Sequence, residues 1–415
     1  MEIANLKKMI RREISMLVDQ EGKTTREIFI QRANQIFENM DPENKEGIDS
    51  ATKDKIIVSL CDDFLGLGPL QRLMNDKEVT EIMINGPDKI YIEKSGKKGR
   101  CNIKFDDETH LRYIIEKMIA PASRRVDESS PYVDFSLADG SRVNIILPPL
   151  AIKGATVTIR KFLDFIQSAD DLVRMGTIDS RMAEFLKACI KAKVNILFSG
   201  ATGSGKTTTL EVLSSYINPD ERIITIEDAL ELKLRQEHVV SLLTRPSNIE
   251  GKGEVSPREL FRNTLRMRPT RIILGEVRGE EALDYLQALN SGHRGSLAVI
   301  HASIPADALS RLETMALYAG INFPAWAVRN QISSGLDLIV QQSQLSDGSR
   351  KITHITEVGK MKDNQVELRD IFCYEIEKVL DDSSVKGKFK AVNVPEFMPI
   401  FKKMGVKIDE NIFKE

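Results

Sequence analysis

The chain of 415 residues has little of what several protein classes depend on. One Trp and seven Tyr are few groups for a surface that stacks the bases of a single nucleic-acid strand. Four cysteines, Cys61, Cys101, Cys189 and Cys373, are widely separated and form no CxxC pair. That argues against a disulfide framework and against structural zinc, and leaves four reduced thiols. Neither sign of charge prevails, since 59 Lys and Arg face 61 Asp and Glu, so no global field recommends a polyanion as partner. No apolar run is long enough to span a bilayer, and residues 1–8 lack the basic and apolar regions of an export signal. These absences predict a cytoplasmic protein with no transmembrane segment and no nucleic-acid partner. With 41% apolar residues and no biased tract, the length predicts two or three globular domains.

What is present centres on Gly200-Ala201-Thr202-Gly203-Ser204-Gly205-Lys206-Thr207, a complete phosphate-binding loop. It follows the apolar run 194–198, as a strand-to-helix turn requires. Gly200, Gly203 and Gly205 let the backbone turn its N–H groups inward around phosphate oxygens. Lys206 reaches the β and γ phosphates, the Thr207 hydroxyl ligates Mg²⁺, and Thr208 continues the same helical turn. ATP and Mg²⁺ are therefore the expected ligands.

Periodicity divides the chain into segments. Residues 1–65 read as a small three-helix bundle: Ile3, Leu6, Ile10, Ile14 and Leu17 fall on one stripe, Ile28, Phe29, Ile36, Phe37 and Met40 on a second, and Ile56, Ile57, Leu60 and Phe64 on a third. Such a unit serves either docking or stability. Residues 66–162 read as an α+β domain, with strands at 81–85, 89–93, 133–137, 141–147 and 155–159 and a helix at 109–119. Residues 163–178 read as a linker with a short helix. From 179 to 375 helices and strands alternate, which predicts a RecA-like α/β domain with a parallel sheet and its ligand at the carboxyl ends of the strands. Residues 245–256 read as a mobile surface loop. The Lys-rich stretch 376–415 reads as a carboxy-terminal extension of uncertain fold.

Around the loop, Arg271-Ile272-Ile273-Leu274-Gly275-Glu276 is an apolar strand ending in a carboxylate, a variant Walker B pattern. Gly275 stands where many NTPases carry the Mg²⁺-associated Asp, which leaves Glu276 to polarise the attacking water, directly or through the metal's water shell. Glu227, Asp228 and Glu231 close the strand 222–226 and would face the same site, although a solvated helix start also accounts for Glu231. His301 ends the strand 296–300, where an imidazole can sense a γ phosphate; His293 precedes that strand with weaker claim. Arg142, Arg160 and Arg278 are candidates for the positive charge that phosphoryl transfer needs, though surface ion pairs would explain each alone.

In this order the motifs resemble the secretion ATPases of the type II and type IV systems, and within them the tight-adherence pilus motors known as CpaF or TadA. The boxes are residues 200–207, Ile226-Glu227-Asp228, Leu274-Gly275-Glu276-Val277-Arg278-Gly279 and residues 292–301. The narrower likeness rests on Leu67-Gly68-Pro69-Leu70, residues 80–86, residues 124–131, residues 140–144 and residues 248–254, and covers roughly 60–375. The resemblance implies a ring hexamer of two-domain subunits with ATP between the domains. In it Arg142 and Arg160 reach the nucleotide from the amino-terminal domain or a neighbour, and Arg271 or Arg278 acts from the motor domain. It further implies work on inner-membrane pilus platform proteins, at the cytoplasmic face of that membrane. Thr270 and Arg294 depart from the family pattern, which often has Asp at the first position and an acidic residue at the second. The missing tetracysteine insertion favours the tight-adherence and conjugative branches over the zinc-bearing type II assembly motors. Two rival functions remain open at this point: a RecA-like nucleic-acid translocase or conjugative secretion ATPase, and an ATP-gated docking protein.

Overall fold

A computed structural model describes residues 10, 25–40, 48–122, 125–162, 166–245, 247, 252–320, 323–381 and 383–414. It comprises two compact units, Met1–Leu163 and Asp164–Glu415.

In the first unit, helix α1 (Arg26–Asn39) starts at a Thr25 cap and α2 (Ser50–Leu65) at an Asp49 cap, each side chain accepting an orphan N–H of the first turn. Phe29, Ala33 and Phe37 of α1 bury against Ile56, Ile57 and Leu60 of α2. Of the first expected stripe only Ile10 is described, helical and buried in this cluster; Ile3, Leu6, Ile14 and Leu17 lie outside the described residues. A short helix α3 (Gln71–Asn75) leads to strands β1 (Val79–Asn85), β2 (Ile90–Lys94) and β3 (Lys97–Arg100), helix α4 (Glu108–Ile119), then β4 (Tyr132–Ser136), β5 (Arg142–Ile146) and β6 (Thr156–Arg160). The six strands form an antiparallel sheet in the order β3-β2-β1-β6-β5-β4. Leu111, Ile114, Ile115 and Met118 of α4 share one core with Ile82, Ile84, Val143, Ile145, Val157 and Ile159 of the sheet.

Polar contacts cross the boundary expected at residue 65. The ammonium of Lys117 on α4 donates to the carbonyls of Asp63, Phe64 and Gly66 at 2.8, 2.6 and 2.6 Å, closing the end of α2. His110 Nε2 lies 3.0 Å from the Asp63 carboxylate. Burial alone would lower the pKa of His110, but the Asp106 and Asp63 carboxylates outweigh it and raise it to about 8.

The second unit opens with α5 (Ala169–Arg174) and α6 (Ser180–Lys191), followed by β7 (Ile196–Gly200), α7 (Lys206–Ser214), β8 (Ile223–Glu227), β9 (Val239–Leu243), α8 (Pro257–Thr264), β10 (Arg271–Leu274), α9 (Glu281–Asn290), β11 (Leu297–Ile300), α10 (Pro305–Leu317) and α11 (Ala325–Gly335). Strands β12 (Leu338–Gln344), β13 (Arg350–Lys362), β14 (Gln365–Val379) and β15 (Val385–Ala391) and helix α12 (Met398–Lys403) complete it. The nine-stranded sheet runs β15-β14-β13-β12-β7-β11-β10-β8-β9. It is parallel from β12 to β9 and antiparallel from β12 to β15. Every residue of β7, β8, β10 and β11 is buried, which is why these strands read as continuous apolar runs rather than alternating ones.

Two segments set apart in the sequence pack against the second unit. The short helix of the 163–178 linker is α5, whose Ala169 and Leu172 are buried in the second unit's own core. The 376–415 extension is part of the same unit: β14 runs through residue 376, and Phe401 and Phe413 pack around Phe185 and Phe372. In the 245–256 loop, Arg245 and Val255 form an antiparallel bridge that pins the ends together; residues 246 and 248–251 lie outside the described residues. No helix among the described residues is long and apolar enough to cross a membrane.

Candidate nucleotide site

The site is built at the carboxyl ends of β7, β8, β10 and β11. Strand β7 ends at Gly200, and α7 starts six residues later behind Gly205, its N-cap, which has φ +97° and offers no side chain to the helix amides. Gly200 is required by crowding, because a Cβ there would lie 2.2 Å from the Gln342 carbonyl and 2.6 Å from Ser204 Oγ. Within the loop, Ser204 Oγ and Lys206 Nζ each donate to the Ala201 carbonyl at 2.8 Å. Ala201 and Thr202 are exposed, Gly203, Gly205, Thr207 and Thr208 half-buried, and Ser204 and Lys206 buried.

From Lys206 a line of polar contacts crosses the strand ends. Lys206 Nζ lies 3.4 Å from His301 Nδ1, and His301 Nε2 lies 3.1 Å from Glu276 Oε1. Glu276 Oε2 accepts from Arg278 at 2.5 Å, and Arg278 reaches Asp228 at 3.2 Å. An ammonium can only donate, so Nδ1 of a neutral His301 accepts from Lys206 while Nε2–H donates to Glu276. Burial and the Lys206 charge lower the His301 pKa against the pull of Glu276, which favours that neutral form. Burial pushes Glu276 up, but Arg278, His301 and Lys206 outweigh it and hold the carboxyl below its ordinary range. The site therefore presents an ionised carboxylate and a neutral imidazole beside a lysine.

Glu227 is buried at the end of β8 and is committed to its own chain. Its Oε2 accepts the N–H groups of Glu231 and Leu232, both at 2.9 Å, and its Oε1 accepts from Thr225 at 3.3 Å. Burial raises its pKa against those bonds. Its side chain also explains Gly275, where a Cβ would come 2.9 Å from Glu227 Cγ. Glu231 is half-buried and, with Glu276 and Asp228, adds to the negative field on Arg278.

Arg271 and His293 belong elsewhere. Arg271, wholly buried at the opposite end of β10 from Glu276, bonds Glu221 at 2.8 and 3.2 Å and the carbonyls of Gly295 and Ile190 at 3.0 and 2.6 Å. Of these two arginines, Arg278 lies beside Glu276 and Arg271 does not. His293 precedes β11, whose other end carries His301. Arg294, the departure beside it, pairs with Asp337 at 2.9 Å. Arg142 and Arg160 lie in the first unit as directly opposed partners on β5 and β6; two cations facing each other do not stabilise a sheet.

Three contributors escape the sequence reading: Gln341, Gln342 and Arg350, from β12 and β13. Gln341 Nε2 donates to the carbonyls of Ala302 and Ser303 at 3.2 and 3.0 Å, just past His301. Gln342 accepts from Thr209 on α7 at 2.8 Å, and Arg350 Nε donates to the Gly203 carbonyl at 2.8 Å. The hairpin itself is signalled by Asp347-Gly348 after an apolar run. Its contact with the loop depends on β12 lying beside β7, a non-local pairing that no short motif encodes.

A phosphate loop after a buried parallel strand, with a histidine following the adjacent strand and an acidic residue following the next one, defines a RecA-like phosphate-loop domain, here in a chain with a preceding α+β unit. The chain belongs to the type II/IV secretion system protein family, whose model matches residues 63–408. It is 34% identical over 296 residues to a putative conjugal transfer protein of Mycobacterium tuberculosis, covering 70% of this chain and 84% of that one. It is 32% identical over 333 residues to the type IV secretion system protein VirB11 of Bartonella quintana, covering 70% of this chain and 91% of that one. Among solved structures, the pilus retraction motor PilT with bound ADP shares the fold, with a TM-score of 0.51 at 22% identity over 70% of this chain and 82% of PilT.

Proposed function

We propose that this chain is an ATP-hydrolysing motor of the tight-adherence pilus type, in the CpaF or TadA branch of its family. It works as a ring hexamer at the cytoplasmic face of the inner membrane and moves pilins through platform proteins there. The observation that carries the reading is the unbroken line from Lys206 through His301 to Glu276, which joins the phosphate-binding residue to a carboxylate.

The residues fit a magnesium nucleotide. An uncapped helix N-terminus behind a glycine loop suits a polyphosphate, and Thr207 and Glu276 are the hard oxygen donors that Mg²⁺ takes. Thr207 would hold the ion directly and Glu276 through water; when bound, Mg²⁺ neutralises charge on the phosphate oxygens. Lys206 exchanges the Ala201 carbonyl for phosphate oxygens. Glu276 orients and polarises the attacking water, and His301 reports the state of Lys206 to Glu276. Arg278 holds Glu276 in its ionised form, and Glu227 fixes the turn that carries Glu231. Arg142 and Arg160, opposed on β5 and β6, are further candidates for the positive charge that phosphoryl transfer needs.

A second reading, a conjugative secretion ATPase, is favoured by the 34% identity to the putative conjugal transfer protein. Purified chain is expected to turn over ATP with Mg²⁺, and a membrane platform protein that binds it is expected to raise that rate. K206A should lose nucleotide affinity by about tenfold or more. Unchanged affinity in K206A would overturn the phosphate-loop assignment, and stimulation by DNA without a platform effect would favour a translocase.

A further inference from the structure

Arg350 opens β13, across a turn from Gln344 at the end of β12. Strand β12 lies beside β7 with Gln342 in register with Gly200, so the hairpin runs along the phosphate loop. The Arg350 guanidinium donates from Nε to the Gly203 carbonyl at 2.8 Å, and its Cδ would meet a Cβ on Gly205 at 3.3 Å. A half-buried cation thus lies along the segment whose N–H groups must point inward, and it holds the outward-facing carbonyl of that segment. The register of β12 against β13 is irregular between Gln341 and Gln342. Gln342 grips Thr209 on α7 while Gln341 grips the segment after His301. Within the turn, Asp347 accepts the Val385 N–H at 3.1 Å and Ser346 donates to the Ser383 carbonyl at 3.3 Å, which ties the hairpin to the start of β15.

We propose that Arg350 is a positioning residue for the phosphate loop: by holding the Gly203 carbonyl outward it sets the backbone N–H groups of residues 203–207 for phosphate. This rests on the nucleotide reading of the loop. Arg350 acts through the loop backbone, by its bond to the Gly203 carbonyl, so its loss shows in affinity and KM before it shows in kcat.

The test uses the full chain, methylanthraniloyl-labelled ADP as the probe, and amide hydrogen exchange without nucleotide. R350A is expected to exchange about tenfold faster at residues 203–207 with residues 281–290 unchanged, and to bind the labelled ADP about ten- to hundredfold more weakly. R350K, which keeps a cationic donor, should recover most of that affinity. Parent-like exchange and affinity in R350A overturn the proposal. If R350A does not fold, R350K and R350Q decide it by the same readouts: R350Q falling below R350K supports it, and both matching the parent overturns it. Failure of the parent chain to bind labelled ADP, or K206A binding it like the parent, overturns the nucleotide reading instead, while exchange still decides whether Arg350 holds the loop.

Discussion

His301 stands between a cation and an anion, and its protonation decides whether it can serve both. Neutral, it accepts from Lys206 and donates to Glu276; protonated, it turns an N–H toward the Lys206 ammonium 3.4 Å away. Burial and Lys206 set its pKa below the ordinary 6.5, so the neutral form prevails at neutral pH and is lost as pH falls through that lowered value. ATP turnover is therefore expected to be flat above about pH 6.5 and to decline on the acid side. In H301A this limb should disappear along with much of the rate; a limb identical in the variant assigns the titration to another group. Glu227 shows the opposite case at the same scale. Its position at a strand end made it a candidate for chemistry, yet its oxygens hold the turn to Leu232.

Among the elements, β10 separates a structural end from a chemical one. Arg271 at its start is buried against Glu221, Gly295 and Ile190, and the carboxylate is shared with Lys193 at 2.9 Å. R271A leaves a buried carboxylate and two carbonyls short of a partner, and is expected to destabilise the chain by about 3–5 kcal/mol in urea unfolding. Nucleotide affinity of the folded fraction should not change. A stability loss below about 1 kcal/mol would contradict the structural role given to the pair.

The same strand shows what was legible beforehand. Ile272, Ile273 and Leu274 form an apolar run because both faces of the parallel sheet are covered, and such runs bounded by glycine marked β7, β10 and β11 within a residue or two. Arg271 and Arg278 flank that run with equal claim as sequence, and only the strand's direction in the sheet separates them. The carboxy-terminal ribbon was missed for another reason. In β15, Val385, Gly387 and Phe389 alternate with Lys386, Lys388 and Lys390, a period of two that overall lysine content obscured. Lysines on such an edge strand also discourage further pairing, which makes a folded strand look like a solvated tail.

At the scale of the whole molecule, the chain combines an antiparallel α+β unit with a phosphate-loop unit, and family membership rests on a match across residues 63–408. The second unit holds Lys206, His301, Glu276 and Arg278 together by itself, whereas Arg142 and Arg160 stand on the first. The proposed motor requires that binding and cleavage be separable in this site, with the first assigned to Lys206 and the second to Glu276. The most direct measurement is ATP affinity beside turnover in E276Q. ATP affinity within about threefold of the parent, with turnover reduced by about 10² or more, is the predicted result. An E276Q chain that hydrolyses ATP at the parental rate would contradict the role assigned to Glu276 and, with it, the proposed motor site.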